Sequence, residues 1–261
     1  MMIDNTLDPH TIMRDLSVIA EDAGRIINTY LSGTSLPEYR VKSDLSPVTA
    51  ADEAANTFIV NSLKALKLGL PIIAEESINT STMPAIDNRS FWLVDPLDGT
   101  KEFIAGRDEF TVNIALIKGG TPLIGVIHLP AKNVTYTGHR STGAFKRQGP
   151  QQPSRIRTRK TPPEGPTVIA SRSHFNPETK AWLSSRKIAK FSEAGSSLKF
   201  CQIAEGAADL YPRLGRTMEW DIAAGHAILS AAGGRVETTT GEPLCYGKPQ
   251  FENPYFIACG D

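Results

Sequence analysis

Cysteine is scarce in this chain: three residues in 261, Cys201, Cys245 and Cys259. An odd number without metal-ligand spacing argues against a disulfide framework or a cysteine zinc site, and fits a reducing, cytoplasmic compartment. No apolar run reaches the roughly 18 residues that a membrane span needs. The opening stretch MMIDNTLDPHTIMRDL has no basic segment followed by an apolar one, so no secretory leader is expected. There is no internal repeat and no long low-complexity tract. The G-x-x-x-x-G-K-[ST] phosphate loop is absent as well.

Net charge is also missing, since 28 basic residues balance 28 acidic ones. A chain with 40% hydrophobic residues and no net charge is not disordered, and it lacks the basic excess of a nucleic-acid wrapper. The balance is uneven along the chain. Residues 1–109 hold 17 acids and 9 bases, residues 110–163 hold 9 bases and no acid, and residues 164–261 hold 11 acids and 10 bases. Residues 139–160, with seven of those bases, read as a solvated, flexible link or as a surface that steers a small polyanion. Without interleaved aromatics it does not read as a nucleic-acid platform.

What is present is a change of pattern along the chain. Ile12, Leu16, Ile19, Ala20, Ala23, Ile26, Ile27 and Tyr30 recur at helical spacing, with Gly33 placed to end the helix. A second helix is expected near Ser46-Pro47-Val48-Thr49. Ser46 is one candidate cap, and Thr49 with Asp52 forms a variant capping box. Pro71–Ala74 and Phe91–Val94 are short apolar runs that stop at acids, as buried strands do. Strands over 110–118, 122–129, 134–138 and 143–147 read as an antiparallel meander. Residues 148–166 hold five prolines and are the best boundary between two halves, 1–150 and 151–261, of one compact unit. Beyond them, strands near 167–171, 188–192, 208–212, 234–238 and 255–259 alternate with helices near 177–186, 197–206 and 220–232. The expected class is an α+β first half joined to a mixed α/β second half.

Chemistry concentrates on Glu75-Glu76, on Asp95-Pro96-Leu97-Asp98-Gly99-Thr100, and on Asp221. Two carboxylates three residues apart across a proline turn can converge on one point, with the Leu97 carbonyl between them. Hard cations such as Mg²⁺ take these oxygens. Leu97 breaks the alternating oxygen pattern of a calcium loop. The N–H groups of Gly99 and Thr100, at a helix start, suit an anion. Each piece also has a plain structural reading. Asp98 reads as a helix cap, Glu75-Glu76 as a solvated turn, and Asp221 as an acid favoured by a helix dipole. Their joint occurrence at element ends shifts the balance toward a site.

The stretches PVTAADEAAN (47–56), AEES (74–77), WLVDPLDGTKEF (92–103) and EWDIAAGHAIL (219–229) resemble the inositol monophosphatase superfamily. The matches run from about residue 40 to residue 233. Lys101-Glu102-Phe103 after D-G-T, and Gly195-Ser196-Ser197-Leu198-Lys199-Phe200-Cys201, are similar to its 3'(2'),5'-bisphosphate nucleotidase branch. The modest length resembles the bacterial CysQ type.

That resemblance implies a layered αβαβα sandwich of the sugar-phosphatase type. It implies two Mg²⁺ ions, one held by Glu75, Asp95 and the Leu97 carbonyl, the other by Asp95, Asp98 and Asp221. A weaker third ion would use Glu75 again. Asp52 and Thr100 would orient and deprotonate the attacking water. No nucleophilic side chain falls in the constellation, so direct attack by water is expected. The implied substrate is adenosine 3',5'-bisphosphate, giving AMP and phosphate in sulfur assimilation or nucleotide recycling, with lithium as inhibitor. Substrate contacts would come from Glu75, Leu97, Asp98, Gly99, Thr100, His174, Ser196, Lys199, Arg213 and Asp221. Solvated surface charge is the alternative for Lys199 and Arg213, and a plain loop residue for His174. His226 reads as packing and Cys201 as core. Competing functions are an inositol or broad sugar-phosphate phosphatase and a non-catalytic regulator. Bacterial relatives can sit peripherally on the inner membrane, but no segment here requires it.

Overall fold

The structure is a computed structural model that describes residues 8–31, 37–42, 46–78, 86, 90–173 and 175–261. Helix α1 (Pro9–Thr29) starts where the Asp8 carboxylate accepts from the Thr11 N–H at 2.8 Å, with Pro9 in the first turn. Its buried face is the expected stripe of Ile12, Leu16, Ile19, Ala20, Ala23 and Ile27. The helix ends at Thr29, and Gly33 lies outside the described residues.

Ser46 does not cap the second helix. Pro47–Thr49 instead forms strand β2, paired antiparallel with β1 (Tyr39–Val41), and α2 runs Ala50–Ala65. Proline's fixed φ suits an edge strand as well as a first helical turn, and here the pairing of Pro47 with Val41 prevails. The start of α2 falls to the capping box, in which the Thr49 N–H donates to Asp52 Oδ2 at 2.8 Å.

A seven-stranded sheet follows: β3 (Ile72–Ala74), β4 (Phe91–Asp98), β5 (Thr111–Lys118), β6 (Thr121–Leu129), β7 (Val134–His139), β8 (Gly143–Gln148) and β9 (Ser154–Ile156). The strands lie side by side in chain order, and every pair is antiparallel except β3 with β4. The short helix α3 (Thr100–Ile104) leaves the end of β4. The meander is as expected. The proline-rich stretch 148–166, expected as the boundary between the halves, also contributes β9 as the last strand of this sheet.

The second half comprises β10 (Thr167–Ser171), α4 (Pro177–Ser184), β11 (Lys190–Ala194), α5 (Leu198–Ala204), β12 (Leu210–Arg213), α6 (Glu219–Ala232), β13 (Arg235–Thr238) and β14 (Phe256–Cys259). Its sheet has the order β11-β10-β12-β14-β13, with β10 parallel to β11 and β12, and β14 antiparallel to both its neighbours. Strand β11 sits two residues later than 188–192. It is an edge strand with four exposed residues, so the apolar pair Ile188-Ala189 misplaces it.

Alternate residues of β4 feed two cores. Trp92 and Val94 meet Leu16, Ala20, Ile27 and Ile59 of α1 and α2, while Phe91 and Leu93 join Ile222, Ala223 and Ile228 of α6 and the small sheet. The layers are therefore α1 and α2, the large sheet, α5 and α6, and the small sheet. Helix α4, which buries only Thr179, carries the outer crossover between β10 and β11. Helix α6 lies directly on the large sheet because two glycines make room. A Cβ on Gly125 would stand 2.3 Å from the Ala224 carbonyl oxygen, and one on Gly138 would stand 2.5 Å from Ile228 Cα. This close contact fixes the N-terminus of α6, where Asp221 sits.

Candidate active site

The end of β4 is irregular in a way that matters. In a regular strand, residues three apart face opposite sides. Between the pairs Asp95–Asn113 and Asp98–Thr111, β4 carries one more residue than β5. This bulge turns Asp95, Leu97 and Asp98 toward a single cleft. The Leu97 N–H donates to Asp95 Oδ1 at 3.1 Å and holds the turn. Gly99 follows at φ 91°, and Thr100 begins α3. Gly99, not Asp98, is therefore the cap of that helix. Asp98 Oδ2 accepts instead from the Ser197 N–H at 2.5 Å and from Asn113 Nδ2 at 3.4 Å.

Two further elements bring carboxylates to the same point. Glu75 follows β3 and opens a single 3-10 turn. Asp221, the third residue of α6, accepts from the Met218 N–H at 2.9 Å, and it sits in the first turn, where the helix dipole was expected to favour an acid. Glu75, Asp95 and Asp221 each offer an oxygen within 4.8 Å of the others. Lys42 was not read from the sequence. Its ammonium reaches Glu75 Oε1 at 2.8 Å and also bonds Glu76.

Such crowding has an electrostatic signature. Burial raises Asp95 well above the usual carboxylate range, and Glu75, Asp98 and Asp221 add to the shift. Burial, then Asp98 and Glu75, push Asp221 up to about 8. Burial raises Asp98 to about 6, opposed by Lys199 and the Ser197 N–H. Glu76 rises to about 7 through burial and Glu75. Burial works against the Lys42 ammonium, yet Glu75 and Glu76 hold it above the ordinary lysine range. Five buried or half-buried acids with two lysines form a set of hard oxygen donors short of positive charge, which is the donor chemistry a divalent cation requires.

Asp52 stands just behind the cleft. Its Oδ2 serves the capping box, while its Oδ1 accepts from Thr100 Oγ1 at 3.1 Å. Both roles read from the sequence, helix capping and a Thr100 pair, thus coexist geometrically. Burial raises the Asp52 carboxyl despite its bonds to Thr49.

The cleft, about 190 Å³, is also lined by Gly99, Thr100, Ser196, Lys199 and Arg213. Lys199 is 3% exposed and Arg213 8%, so neither is a solvated surface charge. Lys199 Nζ donates to the carbonyls of Ala194, at 3.3 Å, and Ser196. Burial pushes it down to about 8, against the pull of Asp98. Arg213 donates to the Arg216 carbonyl at 2.9 Å, and its buried Nε has no partner. His174 lies outside the described residues. Sequence reasoning passed over Ser46, Pro47, Glu102, Ser173, Tyr211 and Thr217 in the lining. Glu102 was noted only as part of a branch pattern, but it is buried and accepts from the Ser173 hydroxyl. His226 packs with its Nδ1 at 2.9 Å from the Tyr246 hydroxyl, and Cys201 is in the core, as expected of both. All three cysteines are free thiols. Among the described residues, no helix is long and apolar enough to cross a membrane.

Comparison with known proteins places this geometry in a wider set. The model of the inositol monophosphatase family matches residues 10–254. The 3'(2'),5'-bisphosphate nucleotidase CysQ of Escherichia coli strain K12 is 42% identical over 243 residues, or 91% of this chain and 95% of that protein. The protein of the same name from Haemophilus influenzae is 33% identical over 98% of this chain and 95% of its own length. The solved CysQ from Bacteroides thetaiotaomicron, a bacterial member of the same family, matches with a TM-score of 0.83. It is 36% identical, with 98% of this chain and 99% of that one covered. An IMPase from Thermotoga maritima, 23% identical, shares the fold at a TM-score of 0.80 over 96% of this chain and 92% of its own.

Proposed function

The chain belongs to the inositol monophosphatase family, and we propose that it acts as a 3'(2'),5'-bisphosphate nucleotidase that cleaves adenosine 3',5'-bisphosphate to AMP and phosphate. Family membership makes it a metal-dependent phosphatase. The observation that carries the substrate reading is the pairing of opposite charges in one cleft. A carboxylate cluster sits beside two buried cations, one with an unpartnered nitrogen. A compound with one phosphate to cleave and a second to hold suits both ends.

In this reading residues 1–150 supply most metal ligands, and residues 151–261 supply Asp221 and the nucleotide contacts. Glu75, Asp95 and the Leu97 carbonyl would hold one Mg²⁺, and Asp95, Asp98 and Asp221 a second. A third, weaker ion would return to Glu75. When bound, such ions supply positive charge to the phosphoryl oxygens and lower the pKa of water. The chain's own part is to place a base. Water donates a proton to Thr100 Oγ1, whose own proton passes along its 3.1 Å bond to Asp52 Oδ1. The Gly99 and Thr100 N–H groups face the scissile phosphate. Lys199, Arg213, Ser196 and His174 hold the remainder of the nucleotide. Free thiols fit a reducing, cytoplasmic setting.

Phosphate release tests the reading. The purified chain with Mg²⁺ is offered adenosine 3',5'-bisphosphate or inositol 1-phosphate, and Li⁺ is then added. Preference for the nucleotide, loss of activity with chelator and inhibition by Li⁺ are expected. Equal or faster turnover of inositol 1-phosphate overturns the substrate assignment, and absence of metal-dependent turnover returns the chain to the class of binding proteins. A phosphate covalently retained on the quenched protein would replace direct attack by water.

A further inference from the structure

We infer that Glu109 and Arg172 are positioning residues: together they clasp the Gly195–Lys199 turn and so set the cationic end of the cleft for the second phosphate of the substrate. The inference rests on the bisphosphate reading given above. Neither residue lines the cleft.

Glu109 lies in the loop between α3 and β5, on the large-sheet side, and Arg172 directly follows β10 of the small sheet. Both terminal nitrogens of Arg172 reach the Glu109 carboxylate, one to each oxygen, which is the fork geometry that locks orientation. The same carboxylate accepts the Gly195 N–H at 2.8 Å. Arg172 adds two bonds to the chain leading into the turn. Its own N–H donates to the Ala194 carbonyl at 3.2 Å, and its guanidinium donates to the Glu193 carbonyl at 3.2 Å. Nothing larger than glycine fits at the junction, because a Cβ on Gly195 would stand 2.8 Å from Glu102 Cγ and 2.9 Å from the Glu109 carbonyl oxygen.

The turn is pinned separately at its far end. There the Ser197 N–H donates to Asp98, and the Ser197 hydroxyl donates to Asn113 Oδ1 at 2.7 Å. Between the two anchors Ser196 is held at φ 49°, a left-handed conformation that a serine does not choose freely. The carbonyls of Ala194 and Ser196, which flank Gly195, are the acceptors that orient the Lys199 ammonium. Releasing the Glu109 end therefore moves the acceptors of Lys199. It leaves Asp98 and Asn113, and with them the carboxylate end, in place. A defect of this kind belongs in substrate affinity and spares the chemical step.

The test is steady-state kinetics of the full chain with Mg²⁺, as parent, Glu109→Ala, Glu109→Gln and Arg172→Lys. The substrates are adenosine 3',5'-bisphosphate and adenosine 3'-phosphate, which lacks the second phosphate. For Glu109→Ala the KM for the bisphosphate should rise about tenfold with kcat within about twofold. The kcat/KM for adenosine 3'-phosphate should stay within about twofold, because that substrate does not use the displaced cation. Glu109→Gln keeps an oxygen for the Gly195 N–H and should recover part of the loss. Thermal unfolding checks that each variant is folded. If Glu109→Ala does not fold, Arg172→Lys carries the same expectation, since it keeps the charge and loses the fork. A folded variant with parental KM, or one that loses kcat equally on both substrates, overturns the clasp. A parent chain that does not cleave the bisphosphate overturns the proposed function and this inference with it, a result seen before any variant is made.

Discussion

The two ends of the cleft are built on opposite principles. At the carboxylate end, like charges converge from three elements, and burial drives Asp95 and Asp221 toward their protonated forms. Its backbone is well satisfied, with the bulge closed by the Leu97 N–H and the α6 start capped by Asp221 itself. At the cationic end the charges are few. Lys199 leans on carbonyls of a strained turn, and Arg213 leaves one nitrogen unpaired. The first end gathers more negative charge than Lys42 offsets, while the second sets two buried cations beside a turn. Each end is completed by the ligand the other would repel, so a metal and a phosphate ester stabilise the site jointly.

The sharpest way to break this comparison is to disable one end and measure both. Asp95→Asn should cut kcat by about a thousandfold or more, since Asp95 stands at the centre of the carboxylate cluster and is the residue shared by both proposed ions. Its affinity for the product AMP should fall far less, because Lys199 and Arg213 remain. Near-parental turnover in this variant would remove Asp95 from the metal site. The reverse experiment is Lys199→Met. Losing a buried charge-assisted contact should raise the KM for adenosine 3',5'-bisphosphate roughly ten- to hundredfold, while kcat and the Mg²⁺ requirement hold. A collapse of kcat would show that the ends are not separable.

A smaller effect reports on the carboxylate end without substrate. Asp98 and Asp221 are raised to about 6 and about 8, so the folded chain binds protons that the unfolded chain releases near its ordinary carboxylate range. That stabilisation is complete below about pH 4 and is lost as pH rises through 6 and 8. In chelator, the thermal midpoint should therefore decline between about pH 5 and pH 8, once the general pH dependence is removed by comparison with Asp221→Asn. Added Mg²⁺ should flatten the decline by taking the place of the protons. A decline of equal slope with and without Mg²⁺ would mean that the acids do not bind the ion together.

The same two ends differ in how far the sequence disclosed them. Asp95 and Asp98 end an eight-residue strand whose first four residues form a fully apolar run, and the proline and glycine between and after them announce a turn, so a local pattern carried the carboxylate end. The bulge that makes the two carboxylates converge was not legible, because it depends on register against β5. Lys199 and Arg213 were named through the family resemblance alone, since neither carries a physical signal in its local pattern. A lysine on a short helix and an arginine closing a strand look like surface charge until α5, β12 and α6 pack around them. Lys42 escaped notice for a similar reason, since it follows an exposed strand and meets Glu75 only through tertiary contact. Among the elements, long buried strands were legible to within a residue or two, except β4, which runs four residues past Val94 to Asp98. Strand β9 was not read, because a three-residue edge among prolines offers no periodicity, and the exposed edge strand β11 was placed two residues early.

The least effect, and the finest probe of the cationic end, comes from Ser196. Its φ of 49° places an L-residue in left-handed backbone, where glycine pays no steric penalty. Ser196→Gly should therefore stabilise the chain, offset in part by glycine's greater freedom when unfolded, for a net gain of at most about 1 kcal/mol in chemical denaturation. The same change removes a hydroxyl from the cleft lining and loosens the turn that supports Lys199. Stability and affinity should then move in opposite directions, with a KM for the bisphosphate raised a few-fold, roughly the value of one neutral hydrogen bond, and kcat unchanged. Strain kept at a ligand-facing turn because it aims a side chain predicts that pairing. If Ser196→Gly instead leaves KM at the parental value while stabilising the fold, the left-handed serine is a tolerated defect, and the cationic end owes its geometry to the clasp at Gly195 alone.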